Sequence, residues 1–417
     1  MPENFHIDMP EAVRNIIHTI EEHGFKAYAV GGCIRDSILG RNPDDWDITT
    51  SAVPSQIKTF FKRTVDTGIA HGTVTIMIDK TGYEVTTYRI DGEYEDGRHP
   101  KSVEFSDRLV DDLCRRDFTI NAMAYNDTDG FVDEFKGLDD LDTKIIRCVG
   151  EPELRFTEDA LRMMRAIRFS AQLGFTIDEA TWNAIKKLSP SISKISMERV
   201  HVELGKTLMS AHPDYVAQYS EAGLFASILP VIDNALKSRY NRKILATLQH
   251  TPDNIYLRYA ALFITSTPDE AAKTLRALKL DNKTVNTVSK LVELSKMDIE
   301  ETEPAVRTAL NKYGRNFLPL WHELMMAVLQ ASEDIIGISN PAKVKHLLTL
   351  KRLATDILAR GDCFTIKDLD ISGNDLIEYG LQGHEIGETL KSLLDIVIEN
   401  PKLNDKATLI AMIEHIK

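Results

Sequence analysis

The sequence is poor in the features that define several classes of protein. It contains only four cysteines (Cys33, Cys114, Cys148 and Cys363) and no CxxC pair, so neither a zinc cage nor a disulfide framework is indicated. No apolar stretch has the length of a membrane span. The N-terminal residues lack the apolar run with flanking positive charge that marks a signal peptide. We therefore expect a cytoplasmic protein without a membrane partner.

The chain also lacks an excess of positive charge: its 50 Lys and Arg residues are outnumbered by 63 Asp and Glu residues, which gives a net charge of −13. For the protein as a whole, this argues against a nucleic-acid partner. Binding depends on a local basic surface and not on the sum, so we expect a basic site on an otherwise acidic protein. The chain has 417 residues, of which 43% are hydrophobic and 27% charged. It is too long for one core, and about two to four domains are expected.

The residue pattern changes near residue 149. Before it, segments rich in Val, Ile, Thr and Tyr predict strands, and Pro54 opens a helix that extends to Arg63. The predicted strands are Phe25–Val30, Trp46–Thr49, Thr73–Ile78 and Tyr83–Ile90. A polar segment with glycines, Asp91–Pro100, predicts a long loop.

Helical patterns dominate after Gly150, and they include Thr157–Leu173, Asp178–Leu188 and Met197–Ser210. The predicted fold class is an α/β (α+β) head with a small mixed sheet, followed by a long all-helical part.

Two carboxylates, Asp45 and Asp47, stand two residues apart on a predicted strand. Because side chains on a strand alternate between faces, both carboxylates point the same way. Such a pair can hold Mg²⁺, which takes oxygen ligands and shares them with a substrate phosphate. A solvated pair at the end of a strand is the ordinary alternative.

A glycine turn precedes this strand, where Gly31 and Gly32 follow the predicted strand Phe25–Val30. Glycine lets the backbone come close to a phosphate, and Arg35 in the next helical turn can fork onto phosphate oxygens. A simple tight turn is the alternative. Together with the carboxylates, the order strand, turn, helix, loop and strand favours a triphosphate-and-metal site.

A second group of polar residues lies within residues 115–121. Arg116 could bind phosphate, while Asp117 and Asn121 could bond ribose hydroxyls. Ordinary capping of a helix N-terminus explains the same residues, and their spacing alone does not decide between the two.

A third group begins at Asp159, with Arg162 three residues later on the same helix surface. Arg165 and Arg168 continue the stripe. A solvated face with a Glu158–Arg162 ion pair is the alternative. The use of arginine without lysine favours planar, bidentate contacts.

The Asp159–Arg162 pair suits the pairing edge of cytosine and of adenine. Both bases offer an amine beside a ring-nitrogen acceptor, so a carboxylate can accept from the amine while a guanidinium donates to the nitrogen. Guanine and uracil present a carbonyl and a ring N–H, which would leave both side chains mismatched at a cost. The pair can therefore accept CTP and ATP and reject GTP and UTP.

With these groups in order, the chain resembles the class II tRNA nucleotidyltransferases, the bacterial CCA-adding enzymes of the polymerase-β-like superfamily. GGCIRD and DDWDITT resemble the metal motif of the family, RRDFTINA its ribose motif and EDALRMMR its nucleotide-templating motif. GLDDLDTKIIRCVG is similar to the hinge motif, and SMERVHVELGKTL to a helix motif that supports the neck. The resemblance covers about the first 210 residues closely and the rest more loosely.

The resemblance implies a role for each matching residue. Asp45 and Asp47 would hold Mg²⁺, and Asp117 would sense the ribose. Asp159 and Arg162 would read the base. The implied nucleotide contacts are Gly32, Arg35 and Arg116, with Arg165 and Arg168 near the triphosphate. Glu84, on the strand Tyr83–Ile90, is a candidate third carboxylate, and an exposed strand residue is its alternative.

The implied mechanism is in-line displacement. The metal would lower the pKa of the tRNA 3′-hydroxyl, which attacks the α-phosphate of CTP or ATP while pyrophosphate leaves. The implied architecture is a head (1–149), a neck (150–214), a body (215–335) and a tail (336–417), with the body and tail holding the acceptor arm and elbow of tRNA. The sequence leaves the oligomeric state, a homodimer included, open.

Several related activities are alternatives to full CCA addition, namely CC addition, A addition and poly(A) synthesis. CC-adding relatives lack the flexible loop after the metal strands, whereas Arg89–Phe105 is present here. Its charged residues could switch the site from CTP to ATP; they are Asp91, Glu93, Glu95, Asp96 and Arg98. Thr67–Thr73 lacks the basic run of the poly(A) relatives. The sequence contains no His-Asp dipeptide, so the phosphohydrolase domain of some relatives is not expected.

A non-catalytic RNA-binding protein is the alternative from a different class. It would be expected to have lost one of the residues that the chemistry needs. Asp45, Asp47, Arg116 and Asp159 are all present.

Overall fold

A computed structural model of the chain describes residues 6–92 and 103–416. The described chain divides after Pro230 into two compact units. In this part of the chain, no helix combines the length and the apolar character that crossing a membrane requires.

A mixed sheet forms the head of the first unit. Its strands are β1 (Ala27–Val30), β2 (Ile48–Thr50), β3 (Thr64–Gly68), β4 (Thr73–Ile78), β5 (Thr81–Thr87), β8 (Ala124–Asn126) and β9 (Gly130–Val132). They lie in the order β3-β4-β5-β2-β1-β8-β9. Strands β2 and β5 are parallel, while the other neighbouring pairs are antiparallel. The predicted mixed sheet is confirmed.

Two short strand pairs lie outside this sheet. β6 (Arg89–Asp91) pairs with β7 (Val103–Phe105) in antiparallel fashion. Asp91, predicted as the first residue of the loop Asp91–Pro100, belongs to β6, and Glu93, Glu95, Asp96 and Arg98 lie outside the described residues. β10 (Ile145–Ile146) pairs in parallel with β11 (Thr176–Ile177).

Five α-helices belong to the described part of the head: α1 (Glu11–Glu22), α2 (Gly32–Ile38), α3 (Pro54–Phe60), α4 (Leu109–Cys114) and α5 (Gly137–Asp142). Helix α1 buries Val13, Ile16, Ile17 and Ile20, which recur at helical spacing on one face. Tyr28 and Val30 of β1 are part of the core beside Leu113 of α4. This packing fixes the glycine turn that follows β1.

The helical remainder of the first unit follows the head. Its helices are α6 (Pro152–Glu158), α7 (Leu161–Leu173), α8 (Glu179–Leu188), α9 (Met197–Leu208), α10 (Ala217–Glu221) and α11 (Leu224–Ile228). The second unit is also helical. Its helices are α12 (Pro230–Lys237), α13 (Asn241–His250), α14 (Ile255–Leu262), α15 (Pro268–Ala277), α16 (Asn282–Leu294), α17 (Glu303–Tyr313), α18 (Phe317–Ile336), α19 (Pro341–Arg360), α20 (Gly373–Glu378), α21 (His384–Glu399) and α22 (Lys406–Ile416). The predicted change from a mixed head to a helical remainder is confirmed.

Three predicted elements need correction. The predicted strand Tyr83–Ile90 is interrupted at Tyr88, because β5 ends at Thr87 and β6 begins at Arg89 and pairs with β7 outside the main sheet. The predicted strand Trp46–Thr49 begins only at Ile48, so Asp45 and Asp47 lie in the extended segment that leads into β2. The predicted helix Thr157–Leu173 is broken, because α6 ends at Glu158 and α7 begins at Leu161. Asp159 has extended backbone angles (φ −142°, ψ 104°), which a continuous helix would not allow.

Candidate active site

The two carboxylates of the first motif lie on the same side of the segment before β2. Asp45 and Asp47 are exposed, whereas Trp46 between them is only 9% exposed and packs inward. The Val30 N–H donates to the carbonyl oxygen of Asp47 at 2.9 Å, so β1 holds this segment in place. The alternation expected of a strand is therefore preserved, although the strand starts two residues later than predicted.

Glu84 lies beside this pair. In the parallel ladder of β2 and β5, Ile48 is opposite Val85, which places Glu84 next to Asp47. Burial raises the pKa of Glu84, and the negative charges of Asp47 and Asp45 raise it further. Desolvation by the surrounding protein raises the pKa of Asp47. The positive charge of Arg116 opposes this increase, and the negative charge of Asp45 adds to it. Three carboxylates thus repel one another beside the start of β2, as on a cation-binding surface.

The donor set suits a hard cation. Within residues 6–92 and 103–416, no three His, Cys, Asp or Glu side chains converge as a complete set of metal ligands. Asp45 and Asp47 offer oxygen donors, and Mg²⁺ commonly takes one or two carboxylates and completes its shell with water and substrate phosphates. The residues present therefore fit a magnesium ion that is shared with a nucleotide.

Arg116 lies directly over the glycine turn. Gly31 has φ +85°, and a Cβ built there would lie 2.9 Å from Nη1 of Arg116. Nη2 of Arg116 donates to Oδ2 of Asp112 at 3.2 Å, and the Asp112 side chain is fully buried. Gly31 therefore leaves room for a guanidinium, whereas the sequence suggested room for a phosphate.

Asp112 anchors both arginines of the second motif. Its Oδ1 accepts from Nε and Nη2 of Arg115 at 2.9 and 2.7 Å, and Thr49 of β2 donates to its Oδ2 at 3.1 Å. Burial would raise the pKa of Asp112, but Arg115 and Arg116 outweigh it and hold the pKa below its usual value.

A chain of hydrogen bonds connects the first two motifs with helix α7. Nη1 of Arg35 donates to Oδ1 of Asn121 at 2.6 Å, and Nδ2 of Asn121 donates to Oδ1 of Asp117 at 3.1 Å. Oδ2 of Asp117 accepts from Nε of Arg165 at 2.6 Å. Burial would raise the pKa of Asp117, yet Arg165 and Asn121 hold it well below the usual range. Asp117 is therefore an ionised carboxylate that already has a cationic partner.

Three guanidinium groups surround one aromatic ring. The ring of Phe169 lies 4.0 Å from the guanidinium carbon of Arg168, 5.0 Å from that of Arg35 and 5.3 Å from that of Arg165. Gly32 opens helix α2, which carries Arg35. Such contacts are favourable because the ring face is electron-rich. Phe169 thus gathers the guanidinium groups expected to meet the triphosphate.

Arg168 differs from its neighbours because it is buried against Glu203 of α9. The two side chains are each 6% exposed, and Nε of Arg168 lies 3.2 Å from Oε2 of Glu203. Burial lowers the pKa of Arg168, and Glu203 opposes this effect. Arg168 therefore packs between Glu203 and the Phe169 ring, on which the guanidinium groups of Arg35 and Arg165 also lie.

Asp159 sits at the break between α6 and α7. Its Oδ1 accepts from the Leu161 N–H, the first of α7, at 3.0 Å. Nη2 of Arg199 donates to its Oδ2 at 2.6 Å. The break therefore positions the carboxylate, and an arginine from α9 holds it.

Arg162 pairs with a different acid. Its Nη1 donates to Oε2 of Glu158 at 2.6 Å and its Nη2 to the carbonyl oxygen of Arg115 at 2.9 Å. The Glu158–Arg162 pair that the sequence offered as a solvated alternative exists, but these side chains are only 14% and 12% exposed. Asp159 and Arg162 share one junction and are not paired with each other.

Sequence reasoning missed several residues that organise this site. Asp112 is one of two adjacent acids before the arginines, and nothing in the sequence distinguishes it from Asp111. Phe169 reads as ordinary core. Arg199 and Glu203 both lie in the SMERVHVELGKTL motif, and that motif was the available signal.

Three family models match successive parts of the chain. The model described as "Poly A polymerase head domain" matches residues 27–147, and "Probable RNA and SrmB- binding site of polymerase A" matches residues 174–236. A model for domain 2 of tRNA nucleotidyltransferases matches residues 254–413. Fold and site together define a nucleotidyltransferase.

Full-length relatives narrow this class. The chain is 34% identical to the CCA-adding enzyme of Pediococcus pentosaceus, over 98% of both chains. It is 36% identical to that of Levilactobacillus brevis, over 99% of this chain and 98% of the relative. The crystal structure of the Bacillus stearothermophilus CCA-adding enzyme in complex with CTP is similar, with a TM-score of 0.76, 31% identity and coverage of 97% of this chain and 96% of that one. The chain belongs to the family of CCA-adding enzymes.

Proposed function

We propose that this chain adds C, C and A to the 3′ end of tRNA, using CTP and ATP and no nucleic-acid template, with release of pyrophosphate. The observation that carries this proposal is a continuous connection between the carboxylates and the base-reading junction. Arg116, which opposes the raised pKa of Asp47, shares Asp112 with Arg115, and the Arg115 carbonyl accepts from Arg162. Family membership over nearly the whole length supports the same activity.

Magnesium is the metal that we propose for Asp45 and Asp47, with Glu84 beside them. When bound, it would lower the pKa of the tRNA 3′-hydroxyl and neutralise charge on the triphosphate. The protein's own part is to hold two carboxylates on one side of a fixed segment and to keep Arg116 next to them. Arg35 and Arg116 would contact phosphate oxygens, and Gly32 would admit the nucleotide to the start of α2.

Nucleotide binding requires an exchange of partners in the second group. Asp117 is bonded to Arg165 and Asn121, so its proposed contact with ribose would draw on a carboxylate that is already ionised and oriented. Arg165 would then turn toward the triphosphate. Arg168 would stay with Glu203 and support the arginines from behind.

We assign base selection to Asp159 and Arg162, which would also exchange protein partners for the nucleotide. The carboxylate is held by Arg199 and the guanidinium by Glu158, so both groups are placed before a base arrives. A cytosine or adenine edge would replace part of these contacts, whereas a guanine or uracil edge would leave charged groups without partners.

The wider assignments remain proposals from the sequence. We assign residues 1–149 to the head, 150–214 to the neck, 215–335 to the body and 336–417 to the tail, with body and tail holding tRNA. Cytoplasmic localisation is also a prediction from the sequence. CC addition, A addition and poly(A) synthesis are the competing activities.

One assay separates these activities. The protein is incubated with tRNA that lacks its 3′ CCA, with labelled CTP and ATP supplied separately and together. CCA addition predicts two C residues with CTP alone and a complete CCA end with both nucleotides. Incorporation that stops after CC, begins only on a CC end or continues into an A tail would replace our proposal with the corresponding alternative.

The same assay tests the metal assignment. Asp47→Asn keeps the size of the side chain and removes its charge, so addition of both nucleotides should fall by at least about a hundredfold, which corresponds to roughly 2.7 kcal/mol. Asp66→Asn serves as the matched control, because it removes an exposed acid of β3 in the same sheet, where Asp66 pairs with Lys58 of α3. Retained CMP addition by Asp47→Asn would overturn the assignment.

A further inference from the structure

The turn between α12 and α13, together with the first residues of α13, carries a compact group of basic residues in an acidic chain. Residues 237–243 read KSRYNRK, and no acid occurs between Asp233 and Asp253. The whole chain has a net charge of −13, so a stretch of this sign and length stands apart from its surroundings. We call Arg239, Tyr240, Arg242 and Lys243 the basic turn.

The charges of the basic turn are available to a partner. Arg239 and Arg242 are exposed and Lys243 is half-buried. No carboxylate forms an ion pair with any of the three in the part of the chain that the structure describes. Lys237, one turn earlier, is instead paired with Asp233 at 2.8 Å.

Tyr240 gives the basic turn a flat apolar face. Its ring is 43% exposed, although large aromatic side chains gain free energy from burial. The guanidinium carbon of Arg239 lies 4.9 Å from the ring centroid, and Nη2 of Arg239 donates to the Tyr240 hydroxyl at 2.8 Å. Oγ of Ser238 accepts from the Tyr240 N–H at 3.1 Å and fixes the turn. The ring is thus held at the surface beside a cation.

We propose that the basic turn binds the phosphate backbone of the RNA substrate, with the Tyr240 ring against a ribose or base. Arginine forks match phosphate oxygens, and aromatic rings and guanidinium planes are the surfaces on which RNA bases stack. An anionic protein or lipid surface would use the charges and leave the ring without a partner, so RNA is the better fit. This inference rests on the proposed function and assigns part of its RNA contact.

The test is equilibrium binding of full-length protein to a tRNA transcript that lacks CCA. In one variant, Arg239, Arg242 and Lys243 are all replaced by Gln. The matched control replaces Lys273, Arg276 and Lys279 by Gln, which removes the same charge from exposed residues of the same unit. We expect the first variant to bind at least about tenfold more weakly and the control to change much less.

Salt dependence gives a second readout. The slope of log K against log salt should fall by about 2 in the first variant, since each lost phosphate contact contributes roughly 0.7–0.9. Tyr240→Ala should weaken binding without changing this slope, and Tyr240→Phe should retain most of the affinity. Thermal unfolding of each variant shows whether the fold is intact.

The outcomes separate this inference from the proposed function. Equal losses in both triple variants would show that only net charge matters, and unchanged binding in the first would also overturn the inference. Wild-type protein is tested for incorporation of labelled CTP and ATP in parallel. If it incorporates both while the first variant binds tRNA normally, the surface assignment fails and the function stands. If the basic turn binds tRNA but nothing is incorporated, the function fails and the surface stands.

Discussion

At the scale of single residues, each arginine of the site is placed by a named acid or ring. Asp112 holds Arg115 and Arg116, Asp117 holds Arg165, and Glu158 holds Arg162. A guanidinium loses side-chain conformational entropy when it binds a ligand. Because these arginines are already paired in the folded protein, part of that entropy is lost during folding and not on binding. The positions of these arginines therefore depend on acids, of which Asp112 and Glu158 have no assigned contact with the nucleotide.

Arg162 provides a direct test of base selection. Arg162→Ala should relax rejection of UTP and GTP by about tenfold or more, because the donor to the ring nitrogen is lost, and tenfold corresponds to about 1.4 kcal/mol. The measurement is kcat/KM for CTP, ATP, UTP and GTP.

The control for this prediction is Arg155→Ala. Arg155 pairs with the same Glu158 at 2.5 Å but has no assigned contact with the base. If Arg162→Ala discriminates against UTP and GTP as strongly as the wild type does, Arg162 does not select the base.

At the scale of elements, the glycine turn between β1 and α2 determines where Arg116 can lie. Gly31→Ala would place a methyl group 2.9 Å from Nη1 of Arg116 at φ +85°. We expect a loss of about 1–3 kcal/mol in the free energy of unfolding and a rise in KM for CTP and ATP, because Arg116 must move. Urea unfolding and nucleotide kinetics measure the two effects.

Gly40→Ala is the control that separates the effect of backbone strain from the effect of displacing Arg116. Gly40 has φ +68°, but no atom lies within 4 Å of the Cβ that would be added. It should lose about 1 kcal/mol of stability and keep the KM values of the wild type. Parallel changes of KM in both variants would show that strain alone explains the effect at Gly31.

The elements also show what sequence reasoning can and cannot provide. Local patterns predicted β1, β4, α8 and α9 well, since their apolar residues follow the periods of strands and helices. Strands β8 and β9 were missed because three residues carry too little periodicity. The break at Asp159 was missed because a stripe of arginines continues across it, and the pairing of Asp159 with Arg199 joins residues forty positions apart. The sequence indicated which residues are candidates for the site and in what order they occur. Their hydrogen-bond partners could not be predicted, because these come from distant parts of the chain.

At the scale of the whole molecule, buried carboxylates make stability depend on pH. The pKa values of Asp112 and Asp117 lie below their usual range because arginines outweigh the effect of burial. A carboxylate whose pKa is lower in the folded than in the unfolded chain stabilises the fold above the unfolded value of about 3.9. That stability is lost as the pH falls through the folded pKa. We therefore expect the first unit to lose stability below about pH 4.

Calorimetric unfolding at several pH values checks this expectation, because it can resolve separate transitions for the two units. Asp112→Asn should be less stable near neutral pH and should show a weaker dependence on acid than the wild type. The same acid dependence in both proteins would show that Asp112 does not contribute to it.

The position of Trp46 has a practical consequence. Its indole is buried, and its two sequence neighbours are the carboxylates proposed to bind magnesium. The chain contains only three tryptophans, so a change of electric field at these carboxylates would alter a large share of the emitted light. The protein thus carries its own optical reporter at the proposed centre of its chemistry, and titration with a divalent cation can be followed without a label.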